Sequence, residues 1–300
     1  MGYLFLSVAL FCGAVKGFCG KKMSNFAKDF GSAARINLLR MVACVLLSFL
    51  VVFLSGNATE LRASYRLILI SALSGVSTAA FIVTWLLSVR KSAYMMLDVF
   101  LMLGTLVPVI SGRFLFGEPI GVRRMIGFAV LVLAVLIMCS YNNSIKAKFT
   151  PASFALLVLC GLSNGVTDLS QKIASKTIEN LSVDVFNLYT YIFAAVTLLI
   201  TLLFIPIPKN QYENESTKTL ALKPIIYVLV LIMAAALAAN SYFKTQAAFY
   251  LYSAELYPLS QGMSLILSTF MAVIFFGEKL KLKAIVGIIL AFTALMIINL

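Results

Sequence analysis

Ten long apolar segments constrain the fold of this chain more than any other feature of its sequence. A helix of about 20 residues crosses a hydrocarbon core of roughly 30 Å, where the protein itself must hydrogen-bond every backbone group. The segments do not alternate apolar and polar residues as barrel strands do. The sequence therefore predicts an all-α polytopic membrane protein with ten transmembrane helices, at residues 2–20, 32–55, 66–89, 92–112, 120–140, 152–171, 184–205, 224–247, 253–276 and 281–300.

The composition also indicates a membrane protein. Hydrophobic residues make up 62% of the chain and charged residues 12%, with a mean hydropathy of +1.02, whereas soluble domains are about 45–50% apolar and about 25% charged. The net charge of +13 favours basic helix ends beside lipid headgroups over nucleic-acid binding. There is no histidine, and the five cysteines lie in apolar segments without metal-ligand spacing. We therefore expect no metal, no cofactor and no catalytic residue.

The tripeptide Phe-Gly-Glu occurs at residues 116–118 and again at 276–278, each time between two apolar segments. The match continues at the same spacing, with Gly127 opposite Gly287, which indicates a duplicated unit. We predict two five-helix repeats, residues 1–145 and 146–300. Because five is odd, the second repeat enters the membrane from the opposite side. Inverted repeats of this kind are common in secondary transporters, with the substrate between them.

Several residues follow a recognisable order along the first repeat. Gly13 is followed by Lys21 and Lys22 at the end of the first segment, Arg40 lies inside the second, and Pro108 precedes the first Phe-Gly-Glu. In this pattern the chain resembles the drug/metabolite transporter superfamily, specifically its EamA-type ten-span members. The resemblance implies that the chain is a transporter. The family includes exporters of amino acids and drugs, and carriers of sugars and nucleotide sugars.

Charged residues inside the apolar segments are the first candidates for a substrate site, because each costs about 2.5–3.5 kcal/mol on insertion scales. Arg40 can bind a carboxylate in bidentate fashion or form a structural ion pair. Asp98 can pair with a cation on the substrate, take up a proton, or pair with Lys16 or Arg40. Lys16 either lines a cavity or extends its ammonium group to the headgroups. Lys244, near a segment end, is either an interface residue or a site residue.

Uncharged candidates complete the predicted substrate site. They are Tyr94, Trp85, Asn164, Tyr189 and Gln261, which can line a polar cavity or form hydrogen bonds between helices. For Trp85, the single tryptophan, the default interpretation is an anchor at the membrane interface.

Three further groups of residues are predicted to have structural roles. Asp168 and Lys172 are four apart, the spacing of an ion pair within one helix. Glu118 and Glu278 stand just ahead of the next helix, where they can cap its free N–H groups. The pairs Gly13 and Gly17, and Gly161 and Gly165, favour close helix packing over substrate contact.

The sequence as a whole predicts a secondary transporter that moves a small polar or zwitterionic metabolite, such as an amino acid, by alternating access in the direction of export. Efflux of lipophilic cations is the alternative, and a membrane scaffold and a membrane enzyme are weaker ones. Candidate partners are the small-molecule substrate, the lipid bilayer, protons as the coupling ion through Asp98, and a second copy in a homodimer.

The predicted location is the inner membrane of a bacterium, but two signals conflict over orientation. The family resemblance implies that both termini lie in the cytosol. The loops after odd-numbered segments carry most of the lysines and arginines. The positive-inside rule places those loops, rather than the termini, in the cytosol.

Overall fold

The computed structural model describes residues 1–27, 29–61, 64–91, 94–119, 121–142, 150–204, 224–277 and 282–299. Across these ranges the chain is helical and forms no strand, which confirms the all-α prediction. The helices are α1 Gly2–Met23, α2 Phe30–Leu54, α3 Tyr65–Lys91, α4 Tyr94–Gly104, α5 Leu106–Phe116, α6 Val122–Asn142, α7 Pro151–Thr177, α8 Val183–Phe204, α9 Pro224–Tyr250, α10 Ser253–Ile274 and α11 Leu282–Asn299.

Eight helical stretches in the described ranges are long and apolar enough to cross a membrane, and the joined pair α4–α5 counts as one of them. The other seven are α1, α2, α3, α7, α8, α9 and α10. Helices α6 and α11 lie at the predicted fifth and tenth segments. Ten spans in two inverted repeats therefore stay a prediction, with eight spans supported by length and composition.

Local sequence signals fix several helix ends. Asp29 caps α2 by accepting a hydrogen bond from the Ser32 amide (2.8 Å), and the Ser32 hydroxyl returns the contact to the Asp29 amide (3.0 Å). Both glycines of the repeated tripeptide lie in the left-handed region, with φ of 67° at Gly117 and 62° at Gly277. Glycine adopts this conformation without steric cost and so terminates α5 and α10.

The predicted fourth segment is not one continuous helix. It breaks at Thr105 into α4 and α5, and the Thr105 hydroxyl donates to the Met102 carbonyl (2.6 Å). Pro108 explains the break, because its ring removes the hydrogen bond to the Gly104 carbonyl and clashes with it.

Helices α1 and α9 run antiparallel along their whole length. Gly2 lies against Leu251, the Asn240 side chain donates to the Ala9 carbonyl (2.6 Å), and Gly20 lies near Met233. This pairing joins the first helix of the first predicted repeat to the third helix of the second.

Helices α4 and α7 approach each other closely through glycine. A Cβ added at Gly161 would lie 2.5 Å from the Phe100 carbonyl oxygen, and one at Gly165 would collide with the Gly104 carbonyl. Small residues at such crossings let backbones touch. The predicted packing role of this glycine pair thus agrees with the structure, whereas Gly13 and Gly17 line a cavity.

Gly161→Ala is expected to destabilise the fold by about 1–3 kcal/mol, because an extra methyl group in a close-packed crossing forces backbone shifts. Gly31→Ala is the matched control, since an added Cβ at Gly31 meets nothing within 4 Å. Thermal unfolding in detergent measures both variants. Equal melting temperatures for the two variants would contradict the proposed crossing.

Candidate functional site

A polar cavity of about 90 Å³ lies among seven helices. Helices α1, α3 and α4 come from the first predicted repeat, and α7, α8, α9 and α10 come from the second. One water needs about 10–15 Å³ on this scale, so the cavity holds several waters or a small solute. Its position between the two predicted repeats is where inverted-repeat transporters bind substrate.

Six of the nine predicted site residues line this cavity, one from each of six helices. Trp85 is 8% exposed and packs against Gly20, so its interpretation as an anchor at the membrane interface is wrong. The six residues are Lys16, Trp85, Asp98, Asn164, Lys244 and Gln261.

Two of the other three predicted residues, Tyr189 and Arg40, do not line the cavity. Tyr189 donates its hydroxyl hydrogen to the Leu61 carbonyl (2.8 Å). Arg40 is 3% exposed and lies beside Tyr191, which does line the cavity. The side chain of Tyr94 lies outside the described residues.

The Asp168 carboxylate forms a buried ion pair with the Lys244 ammonium, at 2.7 Å. Asp168 is on α7 and Lys244 on α9, so the expected pair between Asp168 and Lys172 within one helix is wrong. Of the two interpretations of Lys244, the interface position is wrong, because Lys244 is buried and lines the cavity. Tyr257 supports the pair: its hydroxyl donates to the Asp168 carbonyl (2.7 Å), and Lys244 lies 5.3 Å from its ring centroid.

Lys16 and Asp98 have a different environment. Lys16 lies 5.9 Å from the centre of the Phe81 ring and forms no ion pair within 4 Å in the described part of the chain. It faces the cavity rather than the headgroups. Asp98 is buried, and its Oδ2 atom has no hydrogen-bond partner among the described residues. These two opposite charges are therefore available to a ligand.

Other polar atoms of the cavity lining are also without a partner in the described ranges. They are Oγ of Ser74, Oε1 of Gln171, Oγ1 of Thr190 and the hydroxyl of Tyr191. A buried polar atom without a hydrogen bond is unfavourable by about 1–3 kcal/mol. Water or a polar solute in the cavity would satisfy these groups.

The charges around the cavity leave a positive surplus. Lys16 is within electrostatic range of Arg40, Lys244, Asp168 and Asp98. Since Asp168 and Lys244 neutralise each other, two cations face one remaining carboxylate. A ligand that carries a carboxylate complements this surplus, and an ammonium group on the same ligand complements Asp98.

Sequence reasoning missed Asp168 and Gln171 as cavity residues, although a signal was present. Asn164, Asp168 and Gln171 are spaced i, i+4 and i+7, which places them on one helix face. Asn240 and Lys244 on α9 are likewise four apart. A polar stripe at helical spacing in an apolar helix identifies a face turned away from lipid.

Glu118 lies outside the cavity, and it does not cap the helix that follows it. Its carboxylate accepts a hydrogen bond from the Ser253 amide in the first turn of α10 (2.8 Å) and lies 3.1 Å from the Lys172 ammonium. The expected capping chemistry is present, but it acts on a distant helix instead of α6. Glu278 lies outside the described residues.

The comparison with known proteins decides the family. A sequence model of the EamA-like transporter family matches residues 152–300. The chain belongs to the EamA-like transporter family. This places it in the drug/metabolite transporter superfamily and confirms the resemblance seen in the sequence. An EamA-like protein is an integral, multi-pass membrane protein that acts on a small molecule in a lipid environment.

Solved structures show the fold of this EamA-like chain. One crystal structure, described only as that of a protein, has a TM-score of 0.64 at 12% sequence identity and covers 97% of this chain and 96% of its own. At this identity the likeness concerns the fold alone. No curated protein sequence matches the chain. Within the described residues, no group of three acidic, histidine or cysteine side chains is placed to hold a metal ion.

Asp168→Asn is expected to destabilise the protein by about 3–5 kcal/mol, because it leaves the Lys244 charge buried without a partner. The double variant Asp168→Asn with Lys244→Gln removes both charges and should recover much of the loss. Thermal unfolding in detergent measures both.

Glu255→Gln is the matched control, since the Glu255–Arg124 pair is partly exposed at 3.5 Å and such pairs contribute about 0–1 kcal/mol. A double variant as unstable as the sum of the single ones would contradict coupling between Asp168 and Lys244.

Proposed function

We propose that this EamA-like protein is a secondary transporter that exports a small zwitterionic metabolite, such as an amino acid, by alternating access. The observation that carries the proposal is a pair of opposite charges on the wall of a cavity between the two predicted repeats: among the described residues, Lys16 forms no ion pair and the Oδ2 atom of Asp98 has no hydrogen bond. In a membrane interior such charges are expensive, so they are typical of a substrate site.

The chemistry of the cavity favours a polar solute over a lipophilic cation. The Lys16 ammonium is placed to bind the carboxylate of the solute, and Asp98 to bind its ammonium group. The amide and hydroxyl groups of Gln171, Thr190 and Tyr191 complete the hydrogen bonds. A lipophilic cation would leave Lys16 facing a like charge and these polar atoms unsatisfied.

Counterflow of labelled solutes into proteoliposomes tests the proposal. The panel contains amino acids, the corresponding amines without a carboxylate, the corresponding acids without an amine, and a lipophilic cation. We expect amino acids to exchange fastest. Exchange no faster than in empty liposomes for every solute would refute transport of this class, and preference for the lipophilic cation would favour drug efflux.

Lys16→Gln is expected to raise the KM for carboxylate-bearing solutes about 10- to 100-fold, since a hydrogen bond to a charged group contributes about 1.5–3 kcal/mol. Amines without a carboxylate should be affected far less. Lys22→Gln is the matched control, because Lys22 stands on the same helix against Phe18 and outside the cavity. A KM for amino acids that is the same in both variants would remove Lys16 from the site.

Asp98→Asn is expected to lower the exchange of amine-bearing solutes by tenfold or more, on the order of one lost charge-assisted hydrogen bond, and to spare acids without an amine. Glu60→Gln, in the exposed turn Asn57–Leu61, serves as the control. If Asp98 instead carries the coupling proton, the variant loses proton-driven uptake of every solute and keeps exchange. Full activity in both assays would exclude both roles.

A further inference from the structure

The ion pair between Glu118 and Lys172 is a second set of buried charges, and it takes no part in the cavity. Lys172 is 0% exposed and Glu118 is 5% exposed. The Lys172 ammonium also donates hydrogen bonds to the carbonyls of Leu251 (2.6 Å) and Ala248 (3.2 Å) at the end of α9. The contacts of Glu118 and Lys172 thus connect helix α7 with the end of α5, the end of α9 and the start of α10.

This contact lies on the path from the cavity to one end of the helix bundle. On α7, Lys172 directly follows the cavity residue Gln171, and on α9, Ala248 stands one turn beyond Lys244. An apolar cluster packs at the same end, and it consists of Leu6, Ala247, Ala248, Leu251, Leu256 and Tyr257.

The partners of this contact belong to different predicted repeats. Glu118 belongs to residues 1–145, whereas Lys172, the α9 carbonyls and the Ser253 amide belong to residues 146–300. The cavity cannot open towards this end unless the two sides separate. Tyr257 connects this end to the site, because it belongs to the apolar cluster and its hydroxyl bonds to the Asp168 carbonyl.

A related arrangement exists at the opposite end of the α1–α9 pair. Lys21, at the end of α1, lies 3.5 Å from the Val89 carbonyl near the end of α3 and 6.0 Å from the ring of Phe276. Lys172, at the end of α7, likewise contacts the end of α9 and reaches Glu118 in the other Phe-Gly-Glu. A lysine thus lies near one Phe-Gly-Glu tripeptide at each end, although only Lys172 is seen paired with its glutamate.

We propose that Glu118, Lys172 and the Ser253 amide form a latch that holds one end of the cavity closed and opens in each transport cycle. The inference rests on the proposed transport function, and Glu118 and Lys172 act as positioning residues that do not contact the substrate. When the latch opens, Glu118 leaves the start of α10, and the Ser253 amide becomes accessible to water.

Hydrogen–deuterium exchange in nanodiscs tests the latch without a substrate. Glu118→Gln should accelerate amide exchange in residues 252–258 about tenfold or more, because it leaves Lys172 buried without its counter-charge. Residues 85–91 near Lys21 should exchange as in the unaltered protein. Glu255→Gln is the control, since it removes only a partly exposed contact with Arg124 in the first turn of α10; it should change exchange in residues 252–258 far less than Glu118→Gln does and leave residues 85–91 unchanged.

A transport measurement separates a latch from a merely structural contact. Weakening the latch favours the state in which the cavity is open at the latch end. The KM measured from the membrane face at that end therefore falls, and the KM measured from the opposite face rises. We expect Glu118→Gln to change the ratio of the two KM values about tenfold in proteoliposomes of known orientation. A structural contact would lower the amount of folded protein and leave this ratio unchanged.

The double variant Glu118→Gln with Lys172→Met keeps the test decisive if the single variant does not fold, since it leaves no buried charge unpaired. It should show the same accelerated exchange at residues 252–258. Exchange as slow as in Glu255→Gln would overturn the latch. Accelerated exchange in a protein that transports no solute would show that Glu118 and Lys172 hold the start of α10 in place, and it would refute the proposed transport function rather than this contact.

Discussion

The energy of a charge buried among lipid-surrounded helices is the constraint on which this structure depends. Asp168 and Lys172 lie one turn apart on α7, yet each takes a partner from a different element: Lys244 on α9, and Glu118 beyond α5. Because a buried charge without a partner is strongly unfavourable, the two pairs together fix the rotation of α7 about its axis. That rotation turns Asn164 and Gln171 towards the cavity.

Two charges of the cavity, Lys16 and Asp98, are exceptions to this pairing. In the described residues, Lys16 has no ion pair and the Oδ2 atom of Asp98 has no hydrogen bond, whereas Asp168 and Lys244 in the same cavity neutralise each other. A membrane protein of the EamA-like family retains such charges at an energetic cost. A solute of complementary charge that enters the cavity would stabilise these charges. The same charges that destabilise the empty helix bundle would therefore select the solute.

The sequence predicted the helices, the family and most charged cavity residues, because length, hydropathy and the cost of buried charge are local properties. The sequence did not predict which side chains form ion pairs with each other. The i, i+4 spacing of Asp168 and Lys172 satisfied a local rule that tertiary contacts override. The sequence predicts Tyr189 in the cavity, whereas the structure places Tyr191 there, because two positions turn a side chain by about 200° around a helix. The break at Thr105, by contrast, follows from Pro108 and was open to prediction.

In the first Phe-Gly-Glu, the glutamate caps a helix that is distant in the sequence. Glutamate after a helix-ending glycine favours capping, and the chemistry of Glu118 is indeed that of a cap. The left-handed conformation of Gly117 turns the chain so that the carboxylate reaches α10 in the other predicted repeat rather than α6. A cap within one repeat would stabilise a single helix. A cap between the predicted repeats makes the start of α10 depend on how these repeats are arranged, and the proposed alternating access requires that arrangement to change.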